Sequence, residues 1–232
     1  MKANTRNQES NISGNTLLNT ETSKSGITFL EDCLCKGIKE GNICLIAGRL
    51  NSGREELTNI IRDRNIENGK NVLFISIGNS LNLNNDNKDE YIYHNLFFIE
   101  KESLTISELI NIVKDYKTKH LIDVLILDYI QQVRLDSKEI PNAKNEISKI
   151  SADLRTLVKE LKLQAYVLSN VSRHCDDRDD NHPTLLDIYG SNILEQDAAY
   201  VLTVSKNKET NDLKVSLIKN RFGELCSNYI LR

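Results

Sequence analysis

The sequence predicts an α/β domain built on a mostly parallel sheet covered on both faces. Three observations carry this prediction. Short, continuously apolar runs recur along the chain, as buried parallel strands require, and amphipathic stretches of helical period stand between them. One apolar run also leads straight into a glycine loop, AGRLNSGREEL (Ala47 to Leu57), which opens a helical pattern.

Residues 1–24 are polar and rich in Asn, Ser and Thr, with Leu17 and Leu18 as an apolar pair, and are expected to form a disordered tail before one domain over 25–232. ICLIA, Ile43 to Ala47, is the first strand. In LTNIIRDRNIENG the spacing of Leu57, Ile60, Ile61 and Ile66 is helical, and Gly69 is a stop signal. VLFISI, Val72 to Ile77, reads as a second strand, LNLNNDNKDE as a polar loop and FFI, Phe97 to Ile99, as a short third strand. LTISELINIVKDY returns to helical spacing, and VLILD, Val124 to Asp128, is a strand that ends in a carboxylate. From near Asn145, the residues Ile147, Ile150, Leu154, Leu157, Val158 and Leu161 form one helical stripe. AYVLS (Ala165 to Ser169), AYVLTVS (Ala199 to Ser205) and LKVSLIK (Leu213 to Lys219) supply further strands, the last two expected as an antiparallel edge.

With 232 residues, 39% of them hydrophobic and 27% charged, the chain is long enough for a substantial core. A net charge of -3 excludes a polybasic footprint over the whole molecule, so nucleic-acid contact would need a local patch. No apolar run approaches a membrane span and MKANTRNQES lacks a signal-peptide core, so the expected setting is cytoplasmic with no membrane partner. The five cysteines lack paired spacing, which argues for reduced thiols, and Cys44 inside an apolar run reads as a core residue. His174, Cys175 and His182 share a charged loop, read as solvated in preference to a zinc site; no metal is expected.

The spacing of Gly48 and Gly53 outlines a phosphate-binding loop, although a glycine pair also suits a plain turn. Where GxxxxGK[ST] has lysine and a hydroxyl, this chain has Arg54 and Glu55. Ligands of such sheets bind at the carboxyl ends of the strands, where the loop and Asp128 both fall. Asp128 suits an acid of that site and equally the polar end of a buried strand.

DYIQQV, then NEISKISADLRTLVKELKLQAYVLSNVSR, then LLDIYGSNILEQDAAYVL, then IKNRFG follow in an order that resembles the C-terminal motor domain of DnaB-type replicative DNA helicases. That family's pattern is DYLQL, EIS…LK.LAKEL, LSQLSR, DLRESGSIEQDAD and KNR.G, and the likeness runs from about Gly37 to Leu231. The resemblance implies a RecA-like P-loop NTPase core of a kind that assembles as a hexameric ring around single-stranded DNA and hydrolyses ATP between subunits. It also implies a stripped-down relative, without room for the family's N-terminal, primase-contacting domain.

Carried onto this chain, the resemblance assigns the nucleotide loop to Gly48, Asn51, Ser52, Gly53, Arg54 and Glu55, and the Walker B acid to Asp128. Asn170 stands where the family has the glutamine beside the γ-phosphate, and Gly78 where SLEMS supplies the catalytic glutamate, so no catalytic set is intact. Arginine is bulkier than lysine and not interchangeable with it, and Glu55 puts an acid where magnesium's hydroxyl ligand belongs. Lys219 and Arg221 of KNRFG match the pair that acts on a neighbouring subunit's nucleotide; the alternative is a basic hairpin turn closed by Gly223. The DNA loop keeps Glu195, Gln196 and Asp197 but has Tyr189 and Gly190 for Arg and Glu, leaving Lys144, Lys149, Arg173 and Arg178 as candidate DNA contacts.

The expectation is therefore a DnaB-like accessory or regulatory subunit in DNA replication, a pseudo-ATPase with a degenerate site. ATP with magnesium, held through Asp128, stays open as a ligand. The partners implied are a replicative helicase or homologous RecA-like subunits, with single-stranded DNA as a further one. An active ATP-dependent 5'-3' DNA helicase motor and a non-enzymatic interaction module are the alternatives.

Overall fold

The computed structural model describes residues 37–78, 90–136, 143–178, 181–207 and 210–231. The polar tail, Cys33, Cys35 and the loop over 79–89 lie outside these residues.

A nine-stranded sheet forms the centre. In chain order its strands are β1 (Asn42–Gly48), β2 (Val72–Ile77), β3 (Glu90–Tyr93), β4 (Leu96–Lys101), β6 (Val124–Asp128), β8 (Gln164–Asn170), β9 (Tyr200–Lys206), β10 (Leu213–Asn220) and β11 (Cys226–Leu231). A separate two-residue pair joins β5 (Leu104–Thr105) to β7 (Val133–Arg134). The spatial order is β11-β10-β9-β1-β8-β6-β2-β4-β3. The six strands from β9 to β4 run parallel, while β3, β10 and β11 make antiparallel edges.

Alternation along each central strand divides the core into two layers. Leu45, Leu73, Leu125 and Val167 face one side, where α2 (Ile106–His120) and α3 (Ala143–Glu160) contribute Leu109, Val113, Ile150 and Leu154. Cys44, Phe74, Ile126 and Leu168 face the other, where α1 (Arg54–Glu67) contributes Leu57 and Ile61. Both α1 residues are fully buried, so truncating either to alanine should cost about 2–5 kcal/mol. A capping box starts α2: Thr105 Oγ1 accepts from the Glu108 N–H and Glu108 Oε2 accepts from the Thr105 N–H. The short α4 (Ser191–Asp197) begins after Gly190, which adopts φ 77.

The expected α/β class, the parallel centre and the antiparallel C-terminal edge are all present. One detail differs: β9 pairs parallel with β1, so the antiparallel edge is β10 with β11 rather than β9 with β10 alone. Strands β3 and β11 went unread because their polar and apolar residues mix at a sheet margin, where burial is one-sided. The loop carrying Cys175 and His182 is not the solvated segment expected, since both side chains are buried. Among the described residues no cluster of His, Cys, Asp or Glu could hold a metal ion, and no helix is long and apolar enough to cross a membrane.

Candidate functional site

Strand register brings the sequence-derived candidates to one edge of the sheet. Gly48 is level with Asn170 on the neighbouring strand, Ser76 with Asp128, and Gly78 follows β2 directly. The glycine loop therefore caps β1 beside the ends of β8 and β6.

The loop is tightly built. Asn51 adopts φ 60 and Gly53 φ 86, and Gly53 precedes α1 as a left-handed cap without a side-chain capping bond. A Cβ on Gly53 would stand 2.1 Å from Leu213 Cδ2, so β10 packs directly against the loop and only glycine fits there. Arg49 Nε contacts the Asp176 carboxylate at 3.2 Å and Lys206 Nζ reaches Glu56 Oε1 at 2.6 Å, tying the loop to the segment after β8 and to β9. These partners are more than a hundred residues apart in sequence, and no local pattern announces them.

Arg54 points inward and is only 2% exposed. Its Nη1 donates to Asn170 Oδ1 at 2.7 Å, while Nη2 stands 3.7 Å from both Asp128 Oδ1 and Glu55 Oε1. The guanidinium carbon lies 5.6 Å from the Tyr129 ring centroid. One side chain thus joins the start of α1 to the ends of β6 and β8. Arg54 Nε, Ser52 Oγ and Ser76 Oγ are buried without a hydrogen-bond partner among the described residues. Such groups cost about 1–3 kcal/mol each, so their gathering at this edge marks it as a site rather than as ordinary core.

Gly78 has φ 73, and its N–H bonds to the Lys101 carbonyl at 2.9 Å. The left-handed turn explains glycine here independently of any catalytic role.

Lys219 and Arg221 lie at the other end of the sheet. Lys219 donates to the Glu195 carbonyl and Arg221 Nη2 to the Gln196 carbonyl at 3.0 Å, so both cations sit on the C-terminal end of α4. Burial, reinforced by the charge of Arg221, lowers the pKa of Lys219. Arg221 also occupies a turn between β10 and β11, so the hairpin reading holds as well. Six residues of β10 separate Lys219 from Leu213 at the loop, about 20 Å along a strand.

The candidate DNA contacts do not share one fate. Arg178 donates to Asp187 Oδ1 at 3.2 Å and to the His182 carbonyl at 2.9 Å, holding its own loop together. Burial pushes the Asp187 carboxyl up, but hydrogen bonds from Arg178 and Thr184 outweigh it and hold the group below the usual carboxylate range. Lys149 pairs with Asp153 at 2.7 Å on α3, Arg173 is exposed, and the Lys144 side chain lies outside the described residues. His182 went unread as a structural residue: its Nδ1 is 2.7 Å from Ser205 Oγ and its Nε2 3.0 Å from Thr203 Oγ1, fastening this loop to β9.

The profile of the DnaB-like helicase C terminal domain matches residues 82–230, well over half of the chain. The chain belongs to that family. The match begins after the Gly48 to Glu55 loop. A probable plasmid replicative DNA helicase of Chlamydia psittaci is 34% identical over 137 residues, 56% of this chain and 30% of that protein. The replicative DNA helicase DnaB of Rickettsia bellii is 36% identical over 113 residues, 48% of this chain and 22% of that protein. Matched regions thus span less than a third of these relatives' length.

Among solved structures, a helicase-type ATPase domain superimposes with a TM-score of 0.70 at 22% identity, covering 88% of this chain and 85% of that one. A DnaB-like replicative helicase, studied with its interactions with primase, gives a TM-score of 0.70 at 23% identity over 88% of this chain and 58% of that one. The DnaB-like family member described here has the RecA-like fold of these ATPase domains.

Proposed function

We propose that this DnaB-like domain acts in DNA replication as an accessory or regulatory subunit whose own nucleotide site is degenerate. The observation that carries the reading is the inward position of Arg54. A phosphate-loop cation has to face the ligand; this one is buried, bonded to Asn170 and close to Asp128. Glu55 adds a carboxylate where magnesium would need a hydroxyl ligand. Residues so committed do not fit magnesium nucleotide, and no hydrolytic step is derived through it.

Lys219 and Arg221 give the domain its second role, that of completing a site on a neighbouring RecA-like subunit. About 20 Å of strand keeps them from their own loop, so any nucleotide they meet belongs to another chain. A replicative helicase or its homologues, in a ring that encloses single-stranded DNA, are the partners this reading names.

The test is a titration of the purified protein with labelled ATP and magnesium, followed by an ATPase assay with and without single-stranded DNA. Absence of saturable binding below millimolar ATP and absence of turnover are expected. Steady hydrolysis that Asp128→Ala abolishes would overturn the reading in favour of an active helicase motor.

A further inference from the structure

We propose that the cleft beside the glycine loop binds an uncharged nucleobase with its sugar, a free nucleoside without phosphates or metal. The inference rests on the reading that Arg54 is withdrawn from phosphate binding, and it names what the neighbouring space takes instead.

The cleft measures about 590 Å³, within the range of about 300–1,000 Å³ typical of small-molecule sites. Three segments wall it: the loop from Arg49 to Ser52, the stretch at Asp176 and Asn181, and the end of β9 with its following turn. The second wall is fixed to the third by His182, through Ser205 and Thr203 of β9.

Charge decides against phosphates. The three cations at the loop already face carboxylates: Arg49 faces Asp176, Lys206 faces Glu56, and Arg54 stands near Asp128 and Glu55. Three cations against four carboxylates leave the surroundings slightly negative. A triphosphate would meet repulsion and would have to break these pairs, whereas a neutral ligand meets neither cost.

Shape and chemistry point to a flat, hydrogen-bonding ring. Leu50 and Val204 offer apolar surface, and Arg49 offers a guanidinium plane whose Nε edge Asp176 holds. Four carboxamides, from Asn51, Asn181, Asn207 and Asn211, border the same space. Left-handed backbone at Asn51, Asn181 and Asn211 explains the choice of asparagine at three of them, and the convergence of three segments puts the four amides around one cavity. A carboxamide pairs donor with acceptor along a purine edge, as in asparagine recognition of adenine.

Calorimetric titration of the whole chain with adenosine, AMP and ATP with magnesium tests the proposal. Adenosine should bind at least about tenfold more tightly than ATP with magnesium, with AMP between them. Arg49→Lys keeps the charge and loses the plane, and should weaken adenosine about fivefold while the thermal midpoint stays within a few degrees. Glu55→Gln with Glu56→Gln should raise AMP and ATP affinity and leave adenosine within about twofold. The proposal is overturned by no adenosine binding at millimolar concentration, by adenosine binding that Arg49→Lys leaves unchanged, or by a short oligodeoxyadenylate that binds where adenosine does not. Tight binding of ATP with magnesium would instead overturn the degenerate-site reading, so the two failures are distinct.

Discussion

Arg54 donates a 2.7 Å hydrogen bond to Asn170 across the carboxyl edge of the sheet. These are the two positions at which the resemblance would have put a phosphate-facing lysine and a glutamine beside the γ-phosphate. In this chain they satisfy each other. A contact of this kind changes what the edge does: a cation that would be exposed and ready for an anion becomes a structural strut between α1, β6 and β8.

The strut reading predicts a stability cost. Arg54→Met removes a charge-assisted hydrogen bond and leaves Asp128 without its nearby guanidinium, so unfolding in urea should show a loss of about 1–3 kcal/mol. A ligand-facing arginine on an exposed loop would show almost none. An unchanged urea midpoint would return Arg54 to the role of a waiting phosphate contact.

Repair of the loop should work in stages. Arg54→Lys with Glu55→Thr frees the cation from Asn170, removes one acid and restores a hydroxyl, and is expected to improve binding of ATP with magnesium at least about tenfold by equilibrium dialysis. Adding Gly78→Glu should be needed before any hydrolysis appears. That third change meets a left-handed backbone, φ 73, and should cost about 1–2 kcal/mol, although a Cβ there meets only Gln132 at 3.6 Å. If the double variant binds no better than the parent, the loop does not cradle phosphate.

Much of this was legible in the chain itself, and the reasons differ by element. Strands such as VLFISI and VLILD are buried on both faces, so composition alone exposes them. EYIY and CSNYIL are edge strands whose partners decide their state, and β5 and β7 are two residues each, too short for any periodicity. At the site, the loop, Asp128 and Asn170 could be located because each follows a readable strand. The direction Arg54 takes, the Arg49–Asp176 and Lys206–Glu56 pairs, and the burial of His182 depend on segments brought together only by the sheet order.

Arg178 offers a clean separation of structure from DNA contact. The Asp187 carboxyl is held below its usual range, so its ionised form stabilises the fold above the unfolded carboxylate pKa of about 3.9. That contribution is lost as pH falls through the lower, folded value. Arg178→Gln should lower the urea midpoint at neutral pH and shrink the acid-side loss of stability. A variant with unaltered stability but weaker, less salt-dependent DNA binding would assign Arg178 to phosphate contact instead.

The last prediction concerns Arg221, whose side chain is exposed although Nη2 reaches the Gln196 carbonyl. One hydrogen bond at the surface is worth little, so Arg221→Ala should leave the isolated domain within about 1 kcal/mol of the parent. Mixing the parent with its host's full-length replicative helicase is expected to change that enzyme's ATPase, because a subunit with a withdrawn loop but available Lys219 and Arg221 alters the number of complete sites in a ring. Arg221→Ala should modify that change without abolishing association, as measured by co-sedimentation at micromolar concentration. Lys219 is the harder residue to test, since burial already lowers its pKa and its loss would also uncap α4. If no mixed complex forms, or if Arg221→Ala behaves as the parent does, the two residues are helix-capping cations alone and the trans role is withdrawn.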